Sequence, residues 1–475
     1  MTDPRLSVDT MLHGTVITCD AGRRVIVDGA VAVTGGRIAA VGPRTELLTT
    51  YAPTRIIGGG RTTILPGLID CHSHLSQALV RSLIAHELPM IQRLYLPAED
   101  AMTQDEVATS VRLCAAQLLR SGVTCVAETT ATQAHEETIL ETLTEIGMRA
   151  VVARGASDLD AHHESIYGQV TQRSTAKMRH GEAERDLDRT ASFLDRFDPA
   201  GSGMIKGAVL ASHLTGCSPH YVRLAAELAR ERGASFQVHV ARDREEIEFC
   251  LAVHGVRPLQ ALADWGVLGP QFLAIHGILL TDPEATLLAD AGGGLAHAPL
   301  ECLNILNGIP PVGRWRRRGL TIGLGCDNAL NDGFEMMRAV AIQQGTLHAV
   351  PGYDPEHLPA EHILEMATRD AARALSWDHA IGSLEVGKSA DLIVIDRNAP
   401  HLLGQQHPVV DLVRYGTRHE VRHVMVAGRL LLEDGNLTSI DLPAVALAAD
   451  RAAPGVAAVV APRRYRPLAP SLQIE

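Results

Sequence analysis

From about residue 67 onward, short apolar runs alternate with longer amphipathic stretches. Eight runs begin near Gly67, Val123, Met148, Ile205, Ser235, Phe272, Gly294 and Thr321. Between them the apolar positions recur with helical spacing, as over residues 106–119, 219–231 and 282–291. Pro219 suits the first turn of its helix, where a missing N–H costs nothing. Strand-like runs alternating with helices predict βα units and a parallel sheet. Eight repeats predict a distorted TIM (β/α)8 barrel over residues 62–381. The ends of the chain read differently. Residues 15–19, 30–34 and 38–41, and again 390–395 and 421–426, are β-rich and punctuated by glycine turns. They predict a small composite β-sandwich domain from residues 1–61 and 382–475. The long polar segment 158–203 is expected to be an insertion or lid above the barrel mouth.

Ionisable residues fall at the same end of several runs. The first run closes on Leu68-Ile69-Asp70-Cys71-His72-Ser73-His74. Residues two apart on a strand share a face, so His72 and His74 aim together. His239 ends the fifth run, His276 the sixth and Asp327 the eighth. Barrel enzymes carry their chemistry at the C-terminal ends of the strands. Imidazole nitrogens with one carboxylate oxygen suit Zn²⁺ or Fe²⁺.

Composition narrows the partners. The chain has 475 residues, 22 histidines, 3 % aromatic residues and a formal charge of −12. An acidic balance argues against a nucleic-acid surface. The basic run from Arg314 to Arg318 reads as a solvated helix face. No run of eighteen uncharged apolar residues occurs, so no membrane span is expected, and no secretory signal is evident. Eight scattered cysteines without a Cys-x-x-Cys pair fit free thiols in a reducing cytoplasm. With few aromatics, a pocket must hold its small-molecule substrate by hydrogen bonds and charge.

With these residues in hand, the sequence resembles the amidohydrolase superfamily over nearly its whole length. The segment Pro66-Gly67-Leu68-Ile69-Asp70-Cys71-His72-Ser73-His74 is similar to the family's first metal motif. Residues 382–392 resemble the stretch where the chain leaves the barrel for the β domain. Within the family, the sequence resembles the triazine hydrolases and the guanine, cytosine and adenosine-type deaminases. That likeness rests on Ala296-His297-Ala298-Pro299, on residues 308–312, on Gly325-Cys326-Asp327-Asn328 and on residues 331–338. The resemblance implies His72, His74, His239 and Asp327 as metal ligands, and His276 as the histidine that orients water or substrate. Lys206 starts its run, the wrong end for a bridging lysine. One divalent ion is therefore expected, Zn²⁺ first and Fe²⁺ as the alternative. It would lower the pKa of its water towards ~7, with Asp327 and His276 as the catalytic pair and the resulting hydroxide attacking the ring carbon.

Two departures from the branch stand out. The branch carries a glutamate three residues after the fifth-strand histidine, whereas this chain has Arg242, which stays protonated. Either Asp243 or Glu245 supplies the carboxylate, or no shuttle is needed and Arg242 binds a substrate carboxylate or carbonyl, or activity is changed or lost. After the seventh strand, Glu301-Cys302 stands where the branch has Ser-Asn, which makes Glu301 a candidate substrate contact. His213 ends the fourth run and resembles a substrate-contacting histidine. Asp332 with Glu335 reads as a helix cap, His162 and His163 as loop residues, Glu128 as a candidate cavity residue, and the run 58–60 as no phosphate loop. The expected activity is hydrolysis of a carbon–nitrogen bond other than a peptide bond, removing an amino or amine group from a small nitrogen heterocycle. The alternatives are an imidazolonepropionase-like ring opening of a cyclic amide, or a metal-binding homologue of altered activity. The resemblance also implies a homo-oligomer of unspecified size.

Overall fold

A computed structural model describes residues 4–81, 94–129, 133–156, 158, 182–197, 203–304, 307–354, 357–404 and 406–463. Four strands open the chain: β1 (Leu6–Ile17), β2 (Val25–Thr34), β3 (Arg37–Pro43) and β4 (Tyr51–Pro66). Each of the eight apolar runs is then a strand. They are β5 (Leu68–Ser73), β6 (Val123–Thr129), β7 (Arg149–Ala156), β8 (Ile205–His213), β9 (Ser235–Val240), β10 (Phe272–His276), β11 (Gly294–His297) and β12 (Thr321–Leu324). They pair in chain order, all parallel. A parallel strand covered on both faces reads as a continuous apolar run, and every residue of β5, β6 and β9 is buried.

The seam between the first and last barrel strands is closed by backbone contacts. Ser73 bridges Asp327, and Asp327 N donates to His72 O at 2.7 Å. Asp70 Oδ1 accepts from His72 N at 3.1 Å and from Cys326 N at 3.0 Å, tying both edges together. A side chain at Gly325 would place its Cβ 2.9 Å from His72 N, so only glycine lets the edges approach this closely. At the opposite end, buried Lys206 donates to the carbonyls of Leu375 and Ser376 at 3.1 and 2.7 Å, far from the strand ends that carry chemistry.

The helices begin where their sequences provide caps. Thr103 with Glu106 and Thr281 with Glu284 form capping boxes for Gln104–Arg120 and Asp282–Asp290. Ser218 caps Pro219–Arg232, which ends on left-handed Gly233. Asp332 caps Gly333–Gln344 through the N–H groups of Phe334 and Glu335.

The remaining strands are β13 (Leu392–Asp396), β14 (Val421–Val426), β15 (Arg429–Glu433) and β16 (Asn436–Leu437). They join β1–β4 in an eight-stranded sheet in the order β16-β15-β14-β13-β4-β1-β2-β3, with the antiparallel β13–β4 pair uniting the two ends of the chain. The sheet meets the barrel at a buried ion pair, Arg149 Nε to Asp391 Oδ2 at 2.6 Å. The glycine run 58–60 lies inside β4. Gly58 adopts φ 100°, and a Cβ there would sit 2.3 Å from His13 O, where the β1–β4 register shifts.

Other expectations change in detail. The basic run is not a uniformly solvated face: Trp315 is buried, and Arg316 turns inward to Glu365 and Asp370 at 2.5 and 2.7 Å. Of segment 158–203, the helix Glu182–Arg196 is described; most of the rest, including His162 and His163, lies outside the described residues. The helix Leu442–Val460 is long and apolar enough to cross a membrane by length and composition. It contains Asp450 and Arg451, packs along Gln104–Arg120 and buries Val445 and Val456.

Candidate metal centre

The strand ends bring His72, His74, His239, His276 and Asp327 together. Nitrogen atoms of His72, His74 and His239 fall within 4.8 Å of one another, as do the donor atoms of His72, His276 and Asp327. Asp327 faces three imidazoles: Oδ2 lies 3.4 Å from His72 Nε2 and 3.6 Å from His276 Nε2, and Oδ1 lies 3.7 Å from His74 Nε2. His72 is at the middle, its ring 4.9, 5.0 and 5.2 Å from those of His74, His239 and His276.

Each candidate histidine ligand is oriented from behind. His74 Nδ1 is 2.8 Å from Thr129 O, and His239 Nδ1 is 2.6 Å from Ser212 O. A carbonyl only accepts, so each Nδ1 carries the proton and each Nε2 keeps its lone pair. His72 Nδ1 meets the Thr129 hydroxyl at 3.1 Å. Its Nε2 is buried with no hydrogen-bond partner among the described residues. Such support behind a ligating histidine is the usual company of a metal site.

Charge fits as well. Burial holds His74 down to about 4 against the pull of Asp327, and it holds His239 and His276 well below the usual imidazole range. Burial opposes ionisation of Asp327, but the imidazoles of His72, His276 and His74 hold its carboxyl well below the ordinary value. Imidazoles gathered around one carboxylate are the donor set of a divalent transition metal. His276 and Asp327 also adopt φ 73° and 57°. Non-glycine residues in this region store strain, which collects at functional sites.

Above the cluster is a pocket lined by His74, Thr129, Ser212, His213, Arg242 and Glu301, with Gln77 and Asn328. Its aliphatic walls among the described residues are Leu96 and Leu210, and its other lining side chains carry polar or ionisable groups. Arg242 is half-buried and donates to Asp243 Oδ2 from Nε and Nη2 at 2.9 and 2.6 Å. Asp243 is doubly committed, because it also caps Arg244–His254 through Glu246 N at 2.9 Å. Glu245 lies with Asp243 and Glu246 in a small adjoining cavity. His213 lines both cavities, with its Nδ1 on the Thr215 hydroxyl.

Glu301 points into the main pocket, where Asn304 Nδ2 donates to Oε2 at 3.1 Å. The Asn328 amide, with its nitrogen turned toward the carboxyl, donates to Oε1 and Oε2 at 3.1 and 2.7 Å. Burial, then the charge of Asp327, pushes the Glu301 carboxyl well above the usual range. Neighbouring Cys302 is buried in the core instead. Glu128 is structural: it is buried, outside the pocket, and accepts from Leu75 N at 2.8 Å. Thr129 and Ser212 escaped the sequence reading because they act through a carbonyl and a hydroxyl, which leave no residue signature. Their place at the ends of β6 and β8 was the available signal.

Barrel and site together define an enzyme of the metal-dependent hydrolase type. The chain belongs to the amidohydrolase family, whose sequence profile matches residues 63–431. A bacterial imidazolonepropionase-like composite-domain profile matches residues 29–52, which lie in the second sheet away from the pocket. A 5-methylthioadenosine/S-adenosylhomocysteine deaminase of Syntrophobacter fumaroxidans is 33 % identical over 92 % of this chain and 95 % of its own length. Its namesake from Nitratidesulfovibrio vulgaris is 32 % identical over 90 % and 93 %. Among solved structures, an adenosine deaminase from Xanthomonas campestris with bound zinc superposes with a TM-score of 0.85 at 26 % identity, covering 95 % of this chain and 99 % of that one. A zinc-complexed atrazine chlorohydrolase from Arthrobacter aurescens shares the fold, with a TM-score of 0.81 at 21 % identity over 93 % and 99 %.

Proposed function

We propose that this chain releases ammonia from an amino-bearing nitrogen heterocycle, using one zinc ion held by His72, His74, His239 and Asp327. It is a metal-dependent hydrolase of carbon–nitrogen bonds other than peptide bonds, in keeping with its family and its deaminase-named relatives. The observation that carries the metal assignment is the pair of carbonyls, Thr129 O and Ser212 O, that fix the Nδ1 protons of His74 and His239. When bound, a divalent ion supplies an acidified water and a Lewis acid at neutral pH. Asp327 is the anion positioned to take a proton from that water, and His276, facing it at 3.6 Å, polarises the attacked ring. Arg242 and His213 bind acceptor groups of the substrate, and Glu301, which lines the same pocket, contacts it. The names of the relatives direct the first assays to 6-aminopurine nucleosides with a 5′ substituent. Eight buried cysteines without a disulfide support a reducing compartment, the cytoplasm.

The test is metal analysis combined with an ammonia-release screen over aminopurine nucleosides, aminopyrimidines, aminopterins and aminotriazines, with zinc- and iron-loaded protein compared. About one ion per chain is expected, and His72→Ala or Asp327→Ala should lose both metal and turnover. Full occupancy and full turnover in either variant would falsify the assignment.

A further inference from the structure

Expelling ammonia from a ring carbon requires a proton on the departing nitrogen, because an amide anion is too basic to leave. The pocket restricts which group delivers it. Arg242 does not release its proton. His74 and His239 have Nδ1 committed to carbonyls, and Asp327 is surrounded by imidazoles. Asp243 is occupied by Arg242 and by its helix. Among the described residues lining the main pocket, Glu301 is the one carboxyl besides Asp327.

Resting on the deaminase reading above, we infer that Glu301 is a catalytic acid and base that carries a proton to the leaving amino nitrogen. Its surroundings suit that role. The carboxyl is shielded from solvent but open to the pocket, and the amides of Asn304 and Asn328 fix its orientation. Charged and titratable groups act on it from every side: Asp327 beyond the eighth strand, Arg242 beyond the fifth, and Arg81 and Tyr95 from the loop after the first. Asp327 favours the neutral carboxylic acid, whereas Arg242 and Arg81 favour the carboxylate, so both protonation states find support.

The protons balance. Water adds its oxygen to the ring carbon and gives up one proton, which Asp327 takes and passes to a ring nitrogen. Glu301 passes its proton to the amino group. The carbon–nitrogen bond then breaks with its electron pair leaving on ammonia. The new hydroxyl becomes a carbonyl and returns its proton to Glu301. Water and the amino heterocycle become ammonia and the oxo heterocycle, with Glu301 restored.

The experiment compares zinc-loaded wild type, Glu301→Gln and Glu301→Asp on the aminated heterocycle that wild type turns over fastest, and on the same ring with chloride replacing the amino group. Chloride leaves without a proton. Glu301→Gln should lower kcat on the amino substrate by about 10²–10³-fold, with KM and zinc content near wild type, and retain most of its rate on the chloro substrate. It should also lose the alkaline limb of the pH profile, and Glu301→Asp should recover part of the rate. Equal losses on both substrates, or a rise confined to KM, would assign Glu301 to binding or structure and overturn the inference, as would an unimpaired Glu301→Gln. A zinc-loaded wild type that turns over no aminated ring overturns the deaminase reading itself, and the inference with it.

Discussion

Thr129 holds His74 by its backbone and His72 by its side chain: the carbonyl oxygen lies 2.8 Å from His74 Nδ1 and the hydroxyl 3.1 Å from His72 Nδ1. One residue at the end of β6 therefore aims two rings at the end of β5, one in the strand and one just past it, and its two contacts separate experimentally. Thr129→Val keeps the carbonyl and removes the hydroxyl at nearly constant volume. Metal affinity should fall about 10–100-fold while the thermal midpoint stays close to wild type. Chelator competition measures this; undiminished affinity would show that the hydroxyl does not orient His72.

Arg242 predicts a different kinetic pattern. Its guanidinium lines the pocket with its charge intact, so Arg242→Ala should raise KM by at least about tenfold, the loss of a charge-assisted hydrogen bond. The shape of the pH–rate profile should change little. A lost ionisation at unchanged KM would mean that position 242 serves proton transfer after all.

The Arg149–Asp391 pair predicts where the two sheets come apart. Both side chains are buried, and Asp391 also accepts from Ala427 N at 2.8 Å. Arg149→Met leaves a carboxylate buried without its cation, which costs about 3–5 kcal/mol. Thermal unfolding should show a clear drop in midpoint, partly recovered in the double variant Arg149→Met/Asp391→Asn. An unchanged midpoint in the single variant would mean that solvent or a neighbouring group replaces Arg149.

Glu246 predicts a pH dependence. Burial, then the charge of Asp243, raises it from 4.5 to about 8. A raised carboxyl binds its proton more tightly in the folded state, so its stabilising contribution is complete below 4.5 and is lost as pH rises through 8. Glu246→Gln should therefore gain stability relative to wild type between pH 6 and pH 9. Parallel melting curves across that range would place the Glu246 carboxyl at its ordinary value.

Much of the fold and site was legible because the barrel strands are short and covered on both faces. His276 follows an unbroken apolar run and His239 a fully buried strand broken only by Gln237, and both boundaries show in sequence. β4 did not show, because its glycine run and exposed positions break the alternation; it becomes a strand only by pairing with β1 and β13. Arg316 does not stand out in sequence, because four arginines around Trp315 look alike in one dimension, while the inward one is selected by Glu365 and Asp370 from two later helices. Glu301 was visible as a departure, but its direction was not. That direction depends on Asn328, which reaches it only after the barrel has closed.

The seam between β5 and the residues after β12 ties assembly to chemistry. Ser73 and Asp327, separated by 254 positions, pair through their backbones, and one of them is itself a candidate metal ligand. No partly wound barrel can own this site: before the last strand docks, the histidines have no carboxylate facing them. Metal uptake by refolding protein thus becomes a clock for the final step of winding, and a chain ending before Thr321 should keep its early βα units yet never capture the ion as the whole chain does.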